Sequence, residues 1–196
     1  MSATIYSNKF EAFTVGDFPW GWVQAPTTTL TVQLGAANLN SLRVATAGWG
    51  SAYLPTDSFQ HYNIQIEARC KGNRAILTPR WGGTFQVGGT IGLPADCLFF
   101  ALIPNTTNEC ILGYYNSGGG FTSLGVTTVA ADNTDYKMKI ICNGTNIKCY
   151  VDDVLIFNVT SSLATKGGAC LTNFGTTNYT DIKFSDPNKS DPLGLG

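Results

Sequence analysis

Glycoside hydrolysis needs two carboxylates on facing positions, one to protonate the leaving oxygen and one to attack or to stabilise the sugar. The nearest candidate in this chain, Glu67, stands on the polar side of an alternating segment with Asn63, Gln65 and Arg69 and has no second acid beside it. A solvating surface carboxylate is the expectation. His61 is the only histidine and has no carboxylate at a spacing that would orient it as a base for a nucleophile. There is no Gly-x-Ser-x-Gly elbow, no phosphate-cradling glycine loop ending in Lys-Ser/Thr, and no metal spacing of His and Cys. Asp152, Asp153 and Asp181 are the residues that could hold calcium, but Asp-Asp is first of all a turn, so no metal ligand and no cofactor are expected.

The chemistry that remains is aromatic. Rings lie beside glycines at Phe18, Trp20 and Trp22 in GDFPWGW, at Trp49 and Tyr53, at Trp81 and Phe85, and at Tyr114, Tyr115 and Phe121. Sugars present apolar C–H faces that stack on such rings. Trp49, Tyr53, Trp81 and Tyr114 are the candidate glycan contacts, and Trp49 and Trp81, each followed by glycine at a strand end, are the pair expected to be exposed. The competing expectation is that these rings pack a core or a subunit contact.

The elements that must position them read as strands. Tyr62, Ile64, Ile66, Ala68 and Cys70 alternate with polar residues, as do Leu30, Val32 and Leu34, and the same period of two returns over 179–184 with Ile182 and Phe184 opposite Asp181 and Lys183. Further strands are expected over 42–47, 74–78, 98–103, 111–115 and 121–129, each bounded by Gly, Pro, Asn or Asp. Between 136 and 159 the register itself is legible. A turn at Gly144-Thr145 puts Met138, Ile140 and Cys142 on one face with Ile147, Cys149 and Val151, pairing Asn143 with Asn146, Cys142 with Ile147 and Ile140 with Cys149. Asp152-Asp153 forms a second tight turn. No stretch has the 3.6-residue period of a helix, and many strands without helices predict a sandwich or a barrel.

A chain of 196 residues with 13% charged residues and 22 glycines fits one large β domain. A net charge of −1 offers no basic face for nucleic acid, and no apolar run approaches the roughly 20 residues that span a bilayer. The opening MSATIYSNKFEAFTV lacks the apolar centre of a signal peptide. Cys70, Cys97, Cys110, Cys142, Cys149 and Cys170 contain no Cys-x-x-Cys pair, and several fall on inward strand positions, so they read as buried thiols with disulfides as the alternative. In the register above, Cys142 and Cys149 are diagonal neighbours, too far apart to bond comfortably. The five N-x-S/T sequons, at Asn105, Asn143, Asn158, Asn178 and Asn188, reflect abundant Asn and Thr. Residues 186–196 lack any pattern and are expected to form an extended arm whose Leu193 and Leu195 dock on a neighbouring subunit.

The run YKMKIICNGTNIKCYVDDVLIFNVTSS, then GGACLTNFG and YTDIKFSD, resembles the concanavalin A-like lectins and glucanases, including laminin-G-like domains. GWVQAP, LRVATAGWG and FQHYNIQIEARC resemble the opening of the same family. Asp153 stands where glycine is usual. The resemblance implies an all-β, two-sheet antiparallel sandwich of the jelly-roll type over 1–185. Glycosidases of that fold carry alternating carboxylates on one strand, which this sequence lacks, so the expectation is a protein that is not an enzyme. With no export signal visible and a fold usual outside cells, release by lysis is the expected route out. The reading is therefore a virion-associated structural or adhesion protein, a capsid decoration or a tail or fibre component, probing glycans as a lectin does. A free-standing carbohydrate-binding lectin is the alternative, and a glycoside hydrolase with an unrecognised acid pair is the third. Expected partners are other virion or surface proteins, glycan, and further copies of the chain.

Overall fold

A computed structural model describes residues 3–8, 22–24, 29–34, 40–53, 62–72, 74–82, 94–104, 108–129 and 135–188. These residues form thirteen strands: β1 (Ala3–Asn8), β2 (Val23–Gln24), β3 (Thr29–Leu34), β4 (Asn40–Tyr53), β5 (Asn63–Gly72), β6 (Ala75–Trp81), β7 (Cys97–Ile103), β8 (Glu109–Tyr115), β9 (Phe121–Thr128), β10 (Tyr136–Asn143), β11 (Asn146–Val151), β12 (Val154–Thr160) and β13 (Gly168–Asp186). All the pairings are antiparallel. Among the described residues no helix is long and apolar enough to cross a membrane.

The architecture is a two-layer β-sandwich curled almost into a barrel, and β13 is the strand that makes it so. Its first half pairs with β6 on one side and β4 on the other, while its second half pairs with β5 and, at its end, with β1. One strand thereby serves both layers, and the hydrogen-bonded order runs β12-β11-β10-β5-β13-β6-β7-β8-β9 without a break. The two ends of that order approach each other where the Phe157 ring of β12 lies over Gly125 of β9, and the same ring packs edge-on to Phe100 of β7 with centroids 6.2 Å apart.

Period-two alternation fills the space between the layers. Ile64, Ile66, Ala68 and Cys70 of β5, Met138, Ile140 and Cys142 of β10, and Ile147, Cys149 and Val151 of β11 all face one buried cluster. The opposite layer contributes Leu98, Phe100 and Leu102 of β7 and Cys110 and Leu112 of β8. The hairpin has the register that its sequence dictates, with Asn143 opposite Asn146, Cys142 opposite Ile147 and Ile140 opposite Cys149. Gly144 takes φ 57°, as the first position of a II′ turn requires. Asp152 and Asp153 both adopt left-handed φ, 48° and 64°, and close the next turn so that Val151 pairs with Val154. This is why glycine is the easier residue at position 153. All six cysteines are free and buried.

The structure corrects the sequence reading in several places. Tyr62 does not begin the inward face of β5: it precedes the strand, is 52% exposed, and lies 5.8 Å from the guanidinium of Arg80. The closing strand is not confined to 179–184 but extends back to Gly168. Its alternation is reset by a register shift between Thr180 and Lys183, where Asp181 takes φ 49°. A fully buried Arg80 on β6 was not foreseen. Its guanidinium donates to the carbonyls of Tyr62, Gly144 and Ala164, tying the hairpin turn and the 161–167 segment to the opposite layer. At the C-terminus the sheet runs through Asp186, and Asn188 exchanges side-chain hydrogen bonds with Asn143. Leu193 and Leu195 lie outside the described residues, as do His61, Phe18, Trp20, Phe85 and Asn105.

Candidate functional site

Cross-strand register defines a second apolar face, the side of the β4–β13–β6–β7–β8–β9 layer turned away from the main core. Trp49 lies opposite Phe174, Ser51 opposite Thr172, and Tyr53 opposite Cys170. Thr172 in turn faces Ile76, Ile76 faces Ala101, and Ala101 faces Ile111. Because side chains alternate, every second residue along each strand joins this face, so Phe99 follows Ala101 and Tyr115 lies opposite Cys97. The result is a buried cluster of Ile76, Trp81, Cys97, Phe99, Ala101, Ile103 and Cys170, with Trp49, Tyr53, Ile111 and Tyr115 packed against it. A strand with apolar residues on both faces, such as CLFFALI in β7, is buried throughout and serves both clusters.

Beside this cluster opens a cleft of about 260 Å³, with Trp49, Phe99, Tyr115, Phe121, Arg74 and Glu109 among its lining residues. The rings form a continuous file. Phe174 packs edge-on to Trp49 at 5.4 Å, Trp49 edge-on to Tyr115 at 6.5 Å, Tyr115 stacks on Phe99 at 5.1 Å, and Phe121 lies 5.3 Å from Tyr115. Phe174 and Phe121, at the two ends, are 42% and 48% exposed, so the file opens to solvent. Gly113 on β8 leaves room beneath it, since a methyl at that position would lie 2.6 Å from Phe121 and 2.9 Å from Phe99.

Arg74, immediately before β6, lays its guanidinium 5.0 Å from the Phe174 ring centroid and 5.6 Å from that of Trp49. Cation–π contact of this kind holds the charge at the cleft wall. Glu109 is the single carboxylate among the described lining residues. Burial raises the pKa of the Tyr115 hydroxyl, with the Cys97 thiol adding to the effect and Arg74 opposing it.

The sequence-predicted contacts divide between two faces. Trp49 lines the cleft. Tyr53 and Trp81 share its face but stack edge-on against each other, 4.7 Å apart, and Trp81 is only 1% exposed. The expectation that Trp81 would be an exposed ring is therefore corrected, because β6 is a central strand covered on both sides. Tyr114 lies opposite Leu98, on the core-facing side, and donates its hydroxyl to Asp96 Oδ1 at 3.1 Å. Glu67 is not solitary, since Lys137 Nζ pairs with it at 3.3 Å and with Asp153 at 3.1 Å. The three candidate calcium ligands are engaged elsewhere. Asp152 accepts from the Lys137 amide, Asp153 is held by Lys137 and Lys139, which lower its pKa, and Asp181 pairs with Arg69. No group of three His, Cys, Asp or Glu side chains among the described residues is arranged to hold a metal ion.

Sequence reasoning missed Arg74, Phe99 and Glu109 as cleft residues and Phe174 as the ring packed beside Trp49. The available signal was the doubly apolar β7, which implies that the face away from the core is also apolar.

The fold is an antiparallel jelly-roll β-sandwich, shared with the solved structures that the chain is similar to. No protein-family description and no curated protein matches the sequence. Among solved structures, the chain is similar to carbohydrate binding module CBM66 from Bacillus subtilis at TM-score 0.66 and 14% identity, covering 85% of this chain and 96% of that one. It is also similar to LamAcat from Zobellia galactanivorans, at TM-score 0.60 and 12% identity over 94% and 98% of the two chains. The exoplasmic/lumenal domain of VIP36, solved with calcium and Man3GlcNAc, follows at TM-score 0.59 and 12% identity over 88% and 86%.

Proposed function

We propose that this chain is a carbohydrate-binding domain without hydrolytic activity, and that the aromatic cleft on the outer face of β4, β13, β6, β7, β8 and β9 is its binding surface. The observation that carries the reading is the file Phe174–Trp49–Tyr115–Phe99–Phe121, open at both ends. Rings spaced along a shallow cleft suit a chain of sugars, each offering an apolar C–H face, while Arg74 and Glu109 supply polar contacts at the same surface. The similarity to a carbohydrate binding module and to a lumenal domain solved with an oligosaccharide supports the same reading. Hydrolysis would need two carboxylates about 5–10 Å apart, and Glu109 is alone among the described lining residues. No cofactor is part of the proposal. A place on a virion, outside the cell after lysis, is a proposal about context that rests on the composition and on the expected C-terminal arm.

Titration calorimetry against a panel of oligosaccharides tests the cleft. Trp49→Ala should abolish or strongly weaken binding while leaving the sandwich folded. Trp81→Ala should instead lower the melting temperature sharply, since truncating a buried tryptophan costs about 3–5 kcal/mol. Unchanged affinity in Trp49→Ala, for a ligand that the wild type binds, would place the site elsewhere.

A further inference from the structure

The guanidinium of Arg74 has an unusual position for a cation in a sugar-binding cleft. It is half-buried against two rings, and among the described residues no carboxylate lies within salt-bridge distance of it and no hydrogen-bond acceptor engages its N–H groups. Arg74 is held through its carbonyl, which accepts from the Thr177 hydroxyl at 3.1 Å. Five N–H donors are thus held in a fixed plane at the cleft wall. Glu109, in the same cleft lining, forms no ion pair with it. Ala75 pairs with Leu102 and Leu102 with Cys110, so Arg74 and Glu109 fall on one cross-strand row, two strands or about 10 Å apart.

Resting on the carbohydrate-binding reading above, we infer that the cleft recognises an acidic saccharide, a uronate or sulfate ester, whose anionic group forms a charge-assisted pair with Arg74 while neighbouring sugar rings stack on Trp49, Tyr115 and Phe121. The planar fork suits carboxylate and sulfate oxygens, which accept two parallel hydrogen bonds. The flanking rings keep water from one side of the pair, which strengthens it relative to a fully hydrated contact. A neutral glycan would leave these donors with hydroxyl partners only. The charged group therefore sets the preference of the site and the rings supply sequence-tolerant contact.

Oligogalacturonate and its methyl ester share one backbone and differ in charge, so calorimetry with this pair isolates the effect. The acidic form should bind at least about tenfold tighter than the ester, since hydrogen bonds to charged groups outweigh neutral ones by that order, and added salt should erode the difference. Arg74→Gln should remove the preference, Arg74→Lys should keep part of it, and Glu109→Gln should raise affinity for the acid by relieving repulsion. Equal affinity for acid and ester, or an Arg74→Gln variant that still prefers the acid, overturns the inference while leaving the cleft a glycan site. If neither saccharide binds and Trp49→Ala changes nothing for any other oligosaccharide bound, the carbohydrate-binding reading falls and takes this inference with it.

Discussion

A single methyl group at Gly113 should disrupt the cleft floor. Gly113 lies on β8 beneath the aromatic file, and a Cβ there would sit 2.6 Å from Phe121 Cε2 and 2.9 Å from Phe99 Cζ. Carbon atoms pack comfortably about 3.5–4.0 Å apart, so each ring must retreat by roughly an ångström. Phe121 is 48% exposed and can swing outward. Phe99 is 6% exposed and stacked on Tyr115 at 5.1 Å, so its movement drags the file with it. Overpacking of this kind costs about 1–3 kcal/mol, which in a chain of this size lowers the melting temperature by about 2–12 °C. Calorimetric melting of Gly113→Ala measures the loss, and combining it with Phe99→Leu, which frees space beside the new methyl, should cost less than the two changes summed. An unshifted melting temperature in Gly113→Ala, or strictly additive effects in the double variant, would show that the rings do not crowd Gly113 as described.

Two further outcomes follow from the buried polar groups. Burial pushes the thiols of Cys110, Cys142 and Cys170 from 9.0 up to about 12, so the folded chain keeps protons that the unfolded chain gives up above pH 9. Stability should be level below that value and fall as pH rises from 9 toward 12, by on the order of 1 kcal/mol per thiol per pH unit, with the buried Tyr179 hydroxyl adding to the slope above 10. Denaturant midpoints measured across this range check it, and a flat profile would contradict the burial. Arg80→Met keeps an unbranched apolar stem but removes the guanidinium and strands the carbonyls of Tyr62, Gly144 and Ala164. Chemical denaturation should report a loss of roughly 2–4 kcal/mol, and a variant as stable as the wild type would mean that desolvating the guanidinium cancels its bonds.

The all-β class, the position of most strands and one complete hairpin register were legible in the sequence because they depend on residues close together along the chain. Alternation from Tyr136 to Val151, punctuated by Gly144, leaves a single pairing that buries Met138, Ile140 and Cys142 together with Ile147, Cys149 and Val151. Trp49 was singled out in the sequence by its type and its neighbouring glycine as an exposed ring, and it lines the cleft half-buried. The exposure of Trp81 was not, because whether a strand end is covered depends on what pairs on either side of it, and β6 lies between β13 and β7. Tyr114 and Tyr115 look equivalent in sequence, yet adjacent strand residues face opposite ways, and only the pairing of Tyr114 with Leu98 and of Tyr115 with Cys97 decides which one reaches the cleft.

The aromatic file itself belongs to the tertiary structure. Trp49, Arg74, Phe99, Tyr115, Phe121 and Phe174 come from β4, the residue before β6, β7, β8, β9 and β13. Local periodicity assigns each side chain to a face of its own strand but does not say which strands lie side by side. That order was decided by the long, bulged β13, which pairs with β4 and β6 through one half and with β5 through the other, bringing Phe174 against Trp49 from more than half the chain away.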